Sequence, residues 1–144
     1  MICRADASCE EIADFLAGNP LFYSLSRAIL VSLAEKLQVQ RFQPGQILVR
    51  EGDPGDSFFL VREGHVQVVR TLEGRELVLA ELGPGEGLGE IALMVDQPRT
   101  ATVKALDGVE TLVLRREDFT ALYRRLPELA LQMNRLMEQR VSLL

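Results

Sequence analysis

The sequence predicts a mainly β protein with flanking helices, built as a double-sheet β-roll of the jelly-roll kind, and three observations predict it. From Val39 the apolar period changes from helical to two, the mark of half-buried strands. Turn residues then become dense, at Pro44-Gly45, 52–55, Glu63-Gly64 and Glu73-Gly74, and they cut the chain into short, near-regularly spaced runs. Helical periodicity holds only at the two ends.

In chain order, residues 1–11 read as a loosely ordered leader, in which Cys3 and Cys9 are expected to be free thiols, since no histidine stands nearby to complete a metal site. Residues 12–37 read as an N-terminal helical hairpin. Ile12, Phe15 and Leu16 form one apolar face, Ile29, Leu33 and Leu37 belong to another, and Asn19-Pro20 breaks the two apart. The roll covers 38–115, with strands expected at 39–42, 46–50, 57–62, 65–71, 75–82, 100–106 and 110–114. Asp107-Gly108 between the last two reads as a tight hairpin turn. Residues 116–144 return to helix: 116–125 with Phe119, Leu122 and Tyr123 inward, then a break at Leu126-Pro127, then 127–144 with Leu129, Met133, Leu136 and Met137 in one stripe. The leader aside, 12–144 is expected to be one domain.

Composition excludes several functions. The 144 residues, 47% hydrophobic and 26% charged, suit one globular domain, and a net charge of −5 opposes nonspecific binding to nucleic acid or anionic membranes. The longest apolar run is 91–95, too short for a bilayer, and no charged n-region precedes an apolar h-region, so the cytoplasm is the expected compartment. His65 is the sole histidine and reads as a solvent-facing strand residue. One histidine supplies neither a metal cluster nor a nucleophilic triad, so we expect no metal, no cofactor and no enzyme.

The informative stretch is 87–103. Gly83, Gly85, Gly87 and Gly89 alternate along the approach, where glycine lets backbone come close to a ligand. Residues 90–95 read as a short helix whose free N–H groups suit an anion. Glu90 beside such an anion would accept hydrogen bonds from ligand hydroxyls, as a ribose offers. Asp96, Gln97 and Pro98 turn the chain, and Arg99 opens a segment, Thr100 to Val103, that reads as a strand. Arginine's planar fork matches two phosphate oxygens in a way lysine does not.

Leu88-Gly89-Glu90-Ile91-Ala92-Leu93, the spacer 94–98 and Arg99-Thr100-Ala101-Thr102 together resemble the phosphate-binding cassette of the cyclic-nucleotide-binding domain family. Leu88 replaces that pattern's Phe, an apolar exchange. The run from Glu51 to Phe59, with Gly64 before Val66, and the helix-turn segment 19–26 resemble the family as well. The resemblance implies a cyclic-nucleotide sensor. The backbone of Gly89 and Ala92, with Ile91 between them, and the Arg99 side chain would hold the cyclic phosphate. Glu90 would take the ribose 2′-hydroxyl, and Thr100 and Ala101 would line the phosphate and base side. Val68 and Leu82 would form the roll-side wall, and Leu136 on the last helix would cover the purine as part of a lid. The ligand would be cyclic AMP, favoured over cyclic GMP, and the output an effector domain or protein outside this chain. The C-terminal helix could also pair with a copy of itself. Two other readings stay open: the sensor half of a catabolite-activator-like transcription regulator, and a roll that has lost its ligand and serves interaction.

Overall fold

The computed structural model describes residues 9–19, 22, 23, 25–89, 98–128, 130, 131 and 135. It divides into two compact units, Gln38–Arg116 and, separately, Met1–Leu37 with Glu117–Leu144.

The first unit is the expected two-sheet roll. Its strands are β1 (Gln38–Phe42), β2 (Ile47–Val49), β3 (Ser57–Glu63), β4 (Val66–Leu72), β5 (Arg75–Leu82), β6 (Gly87–Leu88), β7 (Thr102–Ala105) and β8 (Val109–Arg115). One sheet runs β1-β8-β3-β6 and the other β2-β7-β4-β5, with every pair antiparallel. Inward side chains of both sheets meet in one core. Phe42, Phe59, Val61, Leu88, Val109 and Val113 come from the first sheet, and Val66, Val103 and Ala105 from the second. Each of the larger side chains taken from water contributes about 1.5–3 kcal/mol before entropy is counted, which pins the strand register. Thr111 of β8, a polar side chain, is fully buried and donates to the Gln40 carbonyl at 2.9 Å.

Turn chemistry explains most joints. Glu73 and Gly74 both have positive φ, 53° and 76°, between the paired residues Leu72 and Arg75, so β4 and β5 form a two-residue hairpin. Asp107-Gly108 is different: β7 and β8 lie in different sheets, so this is a corner and not the expected hairpin. The corner is fastened from across the roll. The Asp107 carboxylate accepts the His65 backbone N–H at 2.7 Å and meets His65 Nδ1 at 2.9 Å, and Leu106 N–H donates to the His65 carbonyl at 2.9 Å. Gly64 must be glycine there, with φ +85° and a Cβ that would fall 2.2 Å from the Gly108 carbonyl oxygen. His65 is exposed, as expected, but it precedes β4. Thr100 and Ala101 also precede their strand, which begins at Thr102.

In the second unit, α1 (Cys9–Ala17) starts ahead of the expected residue 12, with Glu10 and Glu11 in the first turn where the helix dipole favours acids. Cys9 is disulfide-bonded, which corrects the expectation of a free thiol. Cys3 lies outside the described residues. The second helix, α2 (Arg27–Lys36), is capped by Ser26 Oγ, which accepts from Ile29 N–H at 3.4 Å, and buries Ile29, Leu30, Leu33 and Ala34. Arg27 binds Glu10 and, at 2.7 Å, Asp14, joining α2 to α1. The third helix, α3 (Arg116–Arg125), buries Phe119 and Leu122, with the Phe119 and Tyr123 rings 5.6 Å apart. Helix resumes at Pro127, and Glu128 accepts the Ser26 backbone N–H at 3.0 Å. The rest of the expected 127–144 stripe, including Leu129, Met133, Leu136 and Met137, lies outside the described residues. Among the described residues no helix is long and apolar enough to cross a membrane.

Candidate functional site

Gly89 and Arg99 are brought together. Gly89 has φ +83°, and a Cβ built on it would sit 2.4 Å from Arg99 Nη1 and 2.9 Å from the Ser57 carbonyl oxygen, so the guanidinium occupies the space a side chain would need. Arg99 Nη2 donates to that Ser57 carbonyl at 2.8 Å, and its Cζ lies 5.9 Å from the centre of the Phe59 ring, at the limit of cation–π range. Backbone bonds fix the chain here: Arg99 N–H donates to the Asp53 carbonyl at 2.7 Å and Gly52 N–H to the Arg99 carbonyl at 2.8 Å, beside a bridge between Pro54 and Pro98.

The electrostatics suit an incoming anion. Arg99 is half-buried, and its pKa falls below the ordinary arginine value chiefly through burial; Asp56 opposes that shift and Arg116 adds to it. It remains charged all the same, because arginine does not deprotonate in proteins. Its side-chain hydrogen bond goes to a neutral carbonyl. A half-desolvated cation with donors left over gains from an anion that supplies charge and acceptors together.

The other expected site residues divide three ways. Thr100 and Ala101 follow Arg99, Thr100 exposed and Ala101 half-buried. Val68 and Leu82 are partly buried against the core cluster that contains Phe59, on the inner face of β4 and β5, where Val66 pairs with Leu82 and Val68 with Val103. Glu90, Ile91, Ala92 and Leu136 lie outside the described residues. Sequence reasoning missed the neighbours of Arg99, namely Asp53, Asp56, Ser57 and Phe59. It had singled out the run from Glu51 to Phe59 without giving it a partner, and that run carries the residues that meet Arg99. It also missed that Thr102 Oγ1 accepts the Glu51 backbone N–H at 2.9 Å.

A separate open cleft of about 820 Å³ is lined by Arg41, Phe42, Glu63, Val109 and Glu110 among others. Its arginine Arg41 already meets Glu110 at 2.9 Å, with Arg62 at 3.7 Å from the same carboxylate. Charges satisfied internally make it the weaker candidate for an anion. No group of three or more metal-ligating side chains occurs among the described residues.

Comparison with known proteins bears on this geometry directly. The cyclic nucleotide-binding domain model matches residues 39–126. The chain is 37% identical over 133 residues to cGMP-dependent protein kinase, isozyme 1, of Drosophila melanogaster, covering 90% of this chain and 17% of the kinase. It is 37% identical over 127 residues to the cyclic AMP receptor protein of Thermus thermophilus, covering 88% of this chain and 59% of the receptor. It therefore spans less than two thirds of either relative. Among solved structures, the N-terminal domain of a transcriptional regulator from Streptomyces coelicolor superposes with a TM-score of 0.81 at 38% identity, covering 90% of this chain and 91% of that one. A roll that presents an arginine to a side-chain-free glycine is thus found in a chain whose sequence and backbone both match one family, and the chain belongs to the cyclic nucleotide-binding domain family.

Proposed function

We propose that this chain is a cyclic-nucleotide sensor module, with cyclic AMP as the preferred ligand, that passes binding on to its C-terminal helices and thence to an effector domain or protein. The observation that carries the reading is Arg99, half-buried, packed on Gly89 and bonded to the Ser57 carbonyl. The cyclic phosphate would take the donors that remain, each charge-assisted bond contributing about 1.5–3 kcal/mol. Gly89, Ile91 and Ala92 would complete the phosphate cradle, and Glu90 would accept from the ribose 2′-hydroxyl. Val68 and Leu82 would wall the nucleotide on the roll side and Leu136 would cover the base. Ligand shifts the helices only by the difference in its affinity for their two arrangements.

Thr100 bears on the choice of base. A β-branched residue in a strand needs no ligand to explain it, but Thr100 is exposed and stands before β7, where that explanation lapses. Its hydroxyl can serve the phosphate of either nucleotide or a guanine group. A second reading, the sensor half of a transcription regulator, is favoured by the likeness to the cyclic AMP receptor protein and to the Streptomyces domain. Self-pairing through the last helix would accompany it.

Isothermal titration of the chain with cyclic AMP and cyclic GMP side by side tests the proposal. We expect micromolar or tighter binding of cyclic AMP that is lost in Arg99→Ala. No heat with either nucleotide would leave the roll as an interaction module.

A further inference from the structure

We infer that Arg116, outside the cassette, is a positioning residue for the anion site, acting through the 52–57 loop; the inference rests on the sensor reading above. Three successive carbonyls of this loop each accept from one of two arginines. The Arg116 guanidinium donates to the Gly55 carbonyl, the Arg116 backbone N–H donates to the Asp56 carbonyl at 2.8 Å, and Arg99 Nη2 donates to the Ser57 carbonyl at 2.8 Å. The loop's earlier part is held by Arg99 as well, through the backbone pairs at Gly52 and Asp53.

This segment is therefore gripped along its length by two residues seventeen positions apart in sequence, and the position of the Ser57 carbonyl, hence of the Arg99 fork, depends on both. Geometry leaves little slack. Gly55 and Ser57 are buried, so their carbonyls need protein donors, and Ser57 Oγ is engaged with the Asp56 carboxylate at 2.9 Å. The two guanidiniums repel, and the loop's carbonyl dipoles together with the Asp56 charge let both stay in one neighbourhood. Arg116 has a second office: it is the last residue of the roll unit and the first of α3, so its backbone N–H is one of the donors a helix start leaves open, met here by Asp56.

The test uses the full chain with ¹⁵N-labelled arginine and follows the Arg99 Nε–Hε resonance, assigned by its loss in Arg99→Lys, alongside cyclic AMP titration. In nucleotide-free Arg116→Ala we expect that resonance to shift or broaden, and cyclic AMP affinity to fall about tenfold, the loss of one charge-assisted bond. Arg116→Lys, which keeps a cationic donor, should restore part of both. An unmoved Arg99 resonance with affinity within about twofold of the parent would overturn the inference; should Arg116→Ala fail to fold, Arg116→Gln is read by the same criteria. If the parent chain binds no cyclic nucleotide, the sensor reading fails on its own, and the resonance still decides the role of Arg116.

Discussion

Two corners of the roll are closed by long-range side-chain bonds, and they differ in what meets the basic side chain. At the corner before β4, His65 meets the Asp107 carboxylate, and both side chains are at least half exposed. At the corner before β7, Arg99 is half-buried and meets a carbonyl. The first is a clasp: acid and base answer one another, and nothing further is required. The second fixes an arginine in place through a neutral carbonyl, with no ion pair to it among the described residues and Asp56 acting on it only from nearby. A cation held by one carbonyl and a close-packed glycine has its geometry settled in advance, with charge and donors left for a ligand. The same criterion sets aside the cleft at Arg41, where Glu110 supplies the counter-charge.

The largest effect that should sharpen this contrast is on affinity at the second corner. Arg99→Ala is expected to weaken cyclic AMP binding by about a hundredfold or more, with circular dichroism unchanged. Next comes Gly89→Ala, which places a Cβ where Arg99 Nη1 already sits and forces an unfavourable φ, costing about 1–2 kcal/mol in backbone strain alone. We expect about a tenfold loss of affinity together with a lower Tm, and an affinity equal to the parent's would break the claim that Arg99 is placed by packing on Gly89. Thr100→Ala should be milder, a change of about threefold to tenfold, read as the ratio of cyclic AMP to cyclic GMP affinity. A fall confined to cyclic GMP would assign the hydroxyl to the base, and an equal fall for both would assign it to the phosphate.

The smallest effect belongs to the clasp. The hydrogen bonds from His65 hold the Asp107 carboxyl below the usual carboxylate range. The unfolded acid therefore takes its proton first as pH falls. The bond's contribution is whole above the usual carboxylate range and is lost as pH drops through the depressed value. Asp107→Asn should flatten that acid limb of a Tm-against-pH profile, with only a slight change near neutrality because the pair is exposed, and should leave nucleotide affinity alone. A loss of affinity there would break the division of the two corners into clasp and site.

How much of this was legible in the sequence depends on range. The period-two runs gave most strands within a residue or two, since burial of one face is written locally. β6 escaped because Gly87–Leu88 is too short to show a period. Asp107-Gly108 has hairpin chemistry, yet the chain crosses to the other sheet there, and the contact that fastens the crossing comes from His65, far off in sequence. The same holds for the site. Gly89 and Arg99 stand in one motif with fixed spacing, whereas Ser57 and Phe59 reach Arg99 only through the fold. No local pattern announces that a backbone carbonyl will hold a guanidinium. Cys9 was misread for a related reason, because pairing depends on where the chain goes and not on which residues stand nearby.

On the proposed function, the shape of the arginine, and not merely its positive charge, would make the second corner a phosphate site. Titration of Arg99→Lys with cyclic AMP beside the parent chain tests it most directly. Lysine, which cannot span the Gly89 and Ser57 contacts and two phosphate oxygens at once, is expected to bind nearly as weakly as Arg99→Ala. Affinity within about threefold of the parent would contradict it, since charge alone would then suffice.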